Sequence, residues 1–259
     1  MISNKKIACI IPARLESTRF PRKMLCNLLD KPLLQWVWEA ATNTKMFDEV
    51  TFAVDSQEIA SLIEKFNGKY IMTSVECNNG TERLIEVLKS GKINADIWVN
   101  WQGDEPFISK KMIEQLLQST NSNDADVWTL KKKITDFSEL TSPHFAKIVC
   151  NNAGYAMTFS RSCIPFIRDE NQKNDSKFFK DLYFKHVGIY AYTTEALEKI
   201  ALLKNKECLY EEAEKLEQLK FLYYGLSIKV HETDQNVKGI DLPTDLEIAE
   251  KIALANQFI

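Results

Sequence analysis

The chain has 259 residues, 45% of them hydrophobic and 27% charged, with a formal net charge of -3 at pH 7. That composition fits a globular chain with a sizeable core, as one large domain or a domain with an appended lobe, and the acidic balance argues against a bulk nucleic-acid-binding surface. Cys9, Cys26, Cys77, Cys150, Cys163 and Cys208 show no C-x-x-C pair or metal-ligand spacing; with no signal-like N-terminus and no apolar run of membrane-span length, a reducing cytoplasm is the expected setting.

In chain order, "KIACII" reads as a buried strand and empties into "IPARLESTRFPRK", a loop carrying Arg14, Arg19, Arg22 and Lys23. "LLQWVWEAA" sets Leu34, Val37, Trp38 and Ala41 at helical spacing. "EVTFAVD" is a second strand, and "SQEIASLIEKF" a helix with Asp55 and Glu58 spaced as a cap and its reciprocal partner. "KYIMTS", "TERLIEVLKS" and "DIWVNW" continue the strand–helix–strand alternation. Such alternation predicts a mainly parallel sheet with ligands outside the carboxyl ends of its strands.

The second half is expected to differ. "DVWTLKKKI", "AKIVCN", "YAMTFSR" and "LYFKHVGIYAYT" read as strands of an antiparallel extension, followed by the helices "TEALEKIALL" and "YEEAEKLEQLKFLYY". In the latter, Ala213, Leu216, Leu219 and Tyr223 form the expected core stripe, with Glu217 and Gln218 flanking it. A strand "SIKVHE" precedes the last helix, which Thr244 and Glu247 would open as a capping box.

Three constellations bear on chemistry, and each has a plain alternative. The basic loop suits a polyphosphate, through Arg forks and a Lys point charge, but equally a solvated surface loop; it matches neither the P-loop nor the dinucleotide fingerprint. Asp104 and Glu105 in "QGDEP" stand where a carboxylate holds Mg²⁺ bound to phosphates, yet Asp, Gly and Pro also make ordinary turns. Asp241 in "GIDLP" lies between apolar residues and either caps backbone N–H groups or reaches a metal. His186 in "FKHVGIY" lies within a strand, where a single histidine is more often structural.

Taken together, these segments resemble the CMP-3-deoxy-manno-octulosonate (CMP-Kdo) synthetase family. "IPARLESTRFPRK" is similar to its I-P-A-R-x-x-S-T-R-x-P-x-K loop, "NNGTERLIEV" to S-G-T-[DE]-R, and "VNWQGDEPFI" to V-N-x-Q-G-D-E-P. "AGYAMTFSRSCIPFIRD", "FKHVGIYAYT", "EAEKLEQLKFL" and "HETDQNVKGIDLPTDLE" match its later motifs in the same order. The resemblance implies a Rossmann-like α/β fold of the nucleotide-diphosphosugar transferase type, with a mostly parallel mixed sheet and a smaller antiparallel lobe. It implies a single cytidylyltransferase domain over residues 1–259, with about 125–200 partly a lobe for dimerisation and sugar binding. CTP and a Kdo-type sugar acid would give CMP-sugar and pyrophosphate for lipopolysaccharide synthesis, with Mg²⁺, in a homodimer that contacts neither nucleic acid nor membrane.

By the same resemblance, Pro12, Ala13, Arg14, Arg19 and Lys23 would hold the nucleotide, with Thr73, Asn79, Gly80 and Arg83 around it. Gln102 would lie between nucleotide and sugar. Asp104 and Asp241 would hold the metal and, with Arg14 and Lys23, form the catalytic set. Arg161, His186, Tyr190, Glu217 and Gln218 would line the sugar pocket. The chain departs from the family pattern at Arg22, where glycine is usual, and at Asn78, Asn79, Trp101 and Leu242. A modified acceptor such as 8-amino-Kdo is therefore an alternative. So are a nine-carbon sialic-type acid and, in another class, a non-catalytic nucleotide-sugar-binding protein.

Overall fold

The computed structural model describes residues 5–169, 179, 181–236 and 239–256. Its strands are β1 (Ile7–Ala13), β2 (Asn27–Leu28), β3 (Lys31–Pro32), β4 (Glu49–Val54), β5 (Tyr70–Met72), β6 (Ile97–Asn100), β7 (Val127–Lys133), β8 (Lys147–Cys150), β9 (Ala156–Ser160), β10 (Phe184–Thr193) and β11 (Ile228–Glu232). Its helices are α1 (Leu33–Asn43), α2 (Gln57–Glu64), α3 (Gly80–Lys89), α4 (Lys110–Leu117), α5 (Phe137–Thr141), α6 (Thr194–Ala201), α7 (Leu209–Glu214), α8 (Glu217–Tyr223) and α9 (Pro243–Asn256). They fall into two compact units, residues 1–114 with 236–259, and residues 115–235. The lobe expected over about 125–200 lies inside the second. None of the described helices is long and apolar enough to cross a membrane.

In the first unit the strands run β6–β1–β4–β5, all parallel. β1 is buried along its whole length, as a strand covered on both faces must be. Its Pro12 is tolerated because the β6 ladder has ended at the Ile10–Asn100 pair, so the missing N–H leaves no gap. Four strand ends, those of β1, β4, β5 and β6, open onto loops at the same edge. Gly103, after β6, lies so close to β1 that a Cβ there would stand 2.8 Å from the Pro12 carbonyl oxygen.

Two helix starts differ from the sequence reading. Ser56, not Asp55, caps α2 by accepting the Glu58 N–H at 3.1 Å; Asp55 is turned to other partners. α9 begins at Pro243, ahead of Thr244, and Asp245 reaches back to the N–H groups of Asp241 (3.1 Å) and Leu242 (2.9 Å). Proline suits the first helical position, and the carboxylate one turn in satisfies N–H groups that have no helical partner.

In the second unit β10 pairs antiparallel with β7 and β8, β8 with β9, while β11 lies parallel to β7. The helix expected over 210–224 is two helices. Lys215 takes a left-handed conformation (φ 51°) and breaks it. The buried residues are then Leu216, Gln218 and Phe221, while Ala213 and Tyr223 are exposed. Ser119 lies 3.0 Å from His231 Nε2 and 3.1 Å from Asp124. This is not a nucleophile relay, because Asp124 bonds the serine and the indole N–H of buried Trp128 (3.0 Å).

Candidate active site

The 3-10 turn Lys23–Leu25 turns the end of the basic loop inward, so that Lys23 is buried although it is charged. Its ammonium lies 2.5 Å from Asp104 Oδ2 and 3.4 Å from Asp241 Oδ1. Arg19 also reaches Asp241, at 2.9 Å. The two acids that the sequence separates so widely thus converge on one cation. The neighbouring Glu105 is poorer in partners, and its Oε2 is buried without a hydrogen bond. Burial, together with Asp104 and Asp241 nearby, pushes its carboxyl up to about 8 against the opposing pull of Lys23.

The convergence also tests whether a divalent ion fits. One oxygen from each of Asp104 and Asp241 lies within 3.4 Å of a single ammonium, so the pair is arranged for a cation, and carboxylate oxygens suit Mg²⁺. Among the described residues no group of three or more His, Cys, Asp or Glu could hold a metal. Mg²⁺ commonly takes only one or two carboxylates and completes its shell with phosphate and water. The residues fit that pattern.

Arg14 is exposed and has no ion-pair partner among the described residues. Pro12 and Ala13 are buried in the strand just before it. Arg22 takes the left-handed conformation (φ 57°) that suits the glycine usual there, and its guanidinium pairs with Glu58 of α2. The Asn78–Asn79 departure has a structural reason. Asn79 caps α3, accepting the Glu82 N–H at 2.8 Å, while the Glu82 carboxylate accepts the Asn78 N–H at 3.1 Å. Gly80 follows, and a Cβ there would crowd Asn100 and Pro12 at 3.1 Å. Trp101 is fully buried and donates to the Glu105 carbonyl at 3.0 Å, bracing the turn that presents Asp104. Gln102 is tied to Asn100 at 3.2 Å. The Leu242 side chain is exposed, and nothing in the structure explains its replacement of threonine.

Arg83 is placed differently from the other nucleotide candidates. It is 2% exposed. Its guanidinium donates to Asp55 at 2.6 Å, Thr73 Oγ1 at 2.8 Å and the Ser74 carbonyl at 3.1 Å. Thr73 in turn donates to the Val54 carbonyl at 3.1 Å. These groups brace the strand ends.

Apart from Gln102, which belongs to the first unit, the acceptor candidates lie in the second. His186 and Tyr190 of β10 are in ring contact at 5.2 Å, with Phe159 of β9 against the imidazole at 5.3 Å. The His186 Nε2 is 3.0 Å from Thr129 Oγ1, and burial pushes its pKa down to about 3, so the ring is neutral. Register sets Lys131 of β7 beside His186 on the same face, a neighbour the sequence reading did not single out. Arg161 is fixed by Glu214 and Pro143, its Nε and Nη1 donating to their carbonyls at 2.7 and 2.8 Å. Gln218 is buried on α8, whereas Glu217 is half-buried in its first turn.

A parallel-sheet unit with a basic loop and paired acids at its strand ends defines a nucleotidyltransferase, and the cytidylyltransferase family model matches residues 8–229. A 3-deoxy-manno-octulosonate cytidylyltransferase from Thermodesulfovibrio yellowstonii is 43% identical over 94% of this chain and 96% of its own. One from Porphyromonas gingivalis is 39% identical over 95% and 96%. The chain belongs to this 3-deoxy-manno-octulosonate cytidylyltransferase family. A solved CMP:2-keto-3-deoxy-manno-octonic acid synthetase complexed with CTP is similar at a TM-score of 0.87 and 37% identity, covering 98% of this chain and 100% of that one. A 4-diphosphocytidyl-2C-methyl-D-erythritol synthase from Anaerococcus prevotii shares the fold, at a TM-score of 0.63 and 14% identity over 96% and 99%.

Proposed function

We propose that this chain transfers CMP from CTP to the anomeric hydroxyl of Kdo, giving CMP-Kdo and pyrophosphate for lipopolysaccharide synthesis. The observation that carries the reading is the meeting of Asp104 and Asp241 on Lys23, with Arg19 on the same cluster and Arg14 exposed on the same loop. A merely nucleotide-binding protein has little use for two acids directed at one cation. The names of the relatives support Kdo as acceptor.

In the reaction the anomeric hydroxyl attacks the α-phosphorus of CTP and pyrophosphate leaves in line. Asp104 and Asp241 would hold Mg²⁺, which when bound polarises the α-phosphate and lowers the pKa of the attacking hydroxyl. Lys23 then exchanges its carboxylates for the triphosphate, and with Arg14 and Arg19 it stabilises the charge that grows on the pyrophosphate. The neutral His186 ring, Tyr190, Gln218 and Glu217 offer hydrogen bonds to sugar hydroxyls. The guanidinium of Arg161, oriented by the Pro143 and Glu214 carbonyls, would serve the sugar carboxylate. Most of the rate gain comes from positioning and electrostatics.

We infer as well that the chain works in the cytoplasm as a homodimer. Free thiols throughout the described cysteines support the first, and exposed Met157, Phe166, Leu209 and Tyr210 in the second unit support the second. Pyrophosphate release from CTP and Mg²⁺ with Kdo, 8-amino-Kdo or a nine-carbon acid tests the reading. Kdo is expected to be turned over fastest. Tight CTP binding without turnover of any acid would instead mark a non-catalytic binder.

A further inference from the structure

The basic loop is anchored through a residue outside the expected site. Between Arg14 and Arg22, among the described residues, the backbone N–H with an acceptor beyond the loop is that of Leu15, which donates to Asp55 Oδ1 at 2.9 Å. Leu15 directly follows Arg14, so this bond sets where the phosphate-facing guanidinium leaves the sheet. The other oxygen of the same carboxylate takes the Arg83 guanidinium at 2.6 Å, with side chains 9% and 3% exposed. Arg83 holds Thr73 and Ser74 after β5. Asp55 itself follows β4. One buried carboxylate therefore ties the loops after β1, β4 and β5 to α3.

We propose that Asp55 is a positioning residue for CTP, holding the start of the basic loop in register with α3 so that Arg14 meets the triphosphate from a fixed backbone. This rests on the reading that the loop binds the CTP triphosphate. The charge matters on one side and the acceptor geometry on the other. Arg83, almost free of solvent, needs an anion beside it, whereas the Leu15 N–H needs only an oxygen. A neutral side chain with an oxygen in place therefore keeps half of the device. Arg83 thus assists the nucleotide through Asp55 and Thr73.

The test compares wild type, Asp55→Asn, Asp55→Ala and Leu15→Pro, each shown by thermal melting to be folded at the assay temperature. Readouts are KM for CTP, KM for Kdo, and the equilibrium Kd for CTP. Asp55→Ala is expected to raise KM and Kd for CTP tenfold or more while KM for Kdo stays within twofold. Asp55→Asn is expected to fall between it and wild type, as partial rescue by the retained oxygen. Leu15→Pro deletes the donor and leaves the Asp55–Arg83 pair intact, so it keeps the test open if Asp55→Ala does not fold. It is expected to raise the CTP constants alone. A folded Asp55→Ala or Leu15→Pro with CTP constants within twofold of wild type overturns the proposal, as do equal rises for both substrates. Wild type without turnover would refute the proposed function instead, and the CTP Kd would still judge Asp55.

Discussion

Replacing Lys23 by methionine keeps the length of the side chain and removes the charge that Asp104 and Asp241 share. At 2.5 and 3.4 Å the ammonium–carboxylate contacts are worth roughly 7 and roughly 5 kcal/mol of Coulomb energy at an effective dielectric of about 20, before desolvation. Deleting one partner of a buried pair costs about 3–5 kcal/mol, because the other charge is left uncompensated. The Asp241 side chain is 48% exposed and recovers part of this from water. The low end, about 3 kcal/mol, is therefore expected, or roughly 6–12 °C in melting temperature. Millimolar Mg²⁺ should restore much of the loss in Lys23→Met and change wild type far less, because in wild type the ammonium already sits between both acids, with Arg19 on Asp241. Thermal melts of both proteins with and without MgCl2, beside pyrophosphate release, read the outcome. Turnover is expected to fall at least about a hundredfold, the scale of losing one preorganised charge contact. A variant melting within about 2 °C of wild type and indifferent to Mg²⁺ would refute this reasoning.

Three further outcomes follow from single residues. Arg22→Gly relieves a left-handed non-glycine conformation that costs roughly 1 kcal/mol and gives up an exposed ion pair with Glu58 worth about 0–1 kcal/mol. Its urea midpoint should stay level or rise slightly, and a loss above about 2 kcal/mol would contradict this. His186 has a folded pKa of about 3, below its unfolded value, so between about 6.5 and 3 the unfolded chain binds the extra proton and stability falls as pH falls. From pH 6.5 to 5 this contributes about 2 kcal/mol, and His186→Gln should flatten that part of the profile. Glu105 works in the opposite sense. With a folded pKa of about 8, its contribution is present at low pH and is lost as pH rises from about 4.5 to 8. Glu105→Gln should therefore stabilise the metal-free protein at pH 8 relative to wild type, and the two should converge near pH 4.5.

What the sequence made legible was decided by how local each feature is. The strands of the first unit are short segments rich in apolar and β-branched residues, such as "KIACII" and "EVTFAVD", and the parallel sheet follows from their alternation with helices. The break at Lys215 carries no glycine or proline to announce it, so two helices read as one, and the burial of Gln218 followed from that break. Asp55 looked like a helix cap because Glu58 stands at the right spacing. Its true partners are 40 and 28 positions away, and one of them is a backbone N–H, which leaves no mark in the side-chain pattern. The residues alone left Asp104 and Asp241 as either turn residues or ligands of one metal. The family resemblance favoured the metal reading, and folding brings both to one ammonium. Glu105 was named beside Asp104 as a carboxylate of the motif, but its burial was not legible, since only the three-dimensional fold leaves its second oxygen without a partner.

The shared cation is tested most directly by a double-mutant cycle on turnover, measuring pyrophosphate release by Asp104→Asn, Asp241→Asn and the double variant across a Mg²⁺ titration. If both acids hold one ion, each single variant loses at least about a hundredfold and the double is hardly worse, because the second substitution removes nothing further. A single variant near the wild-type rate, or two losses that multiply in the double, would contradict it.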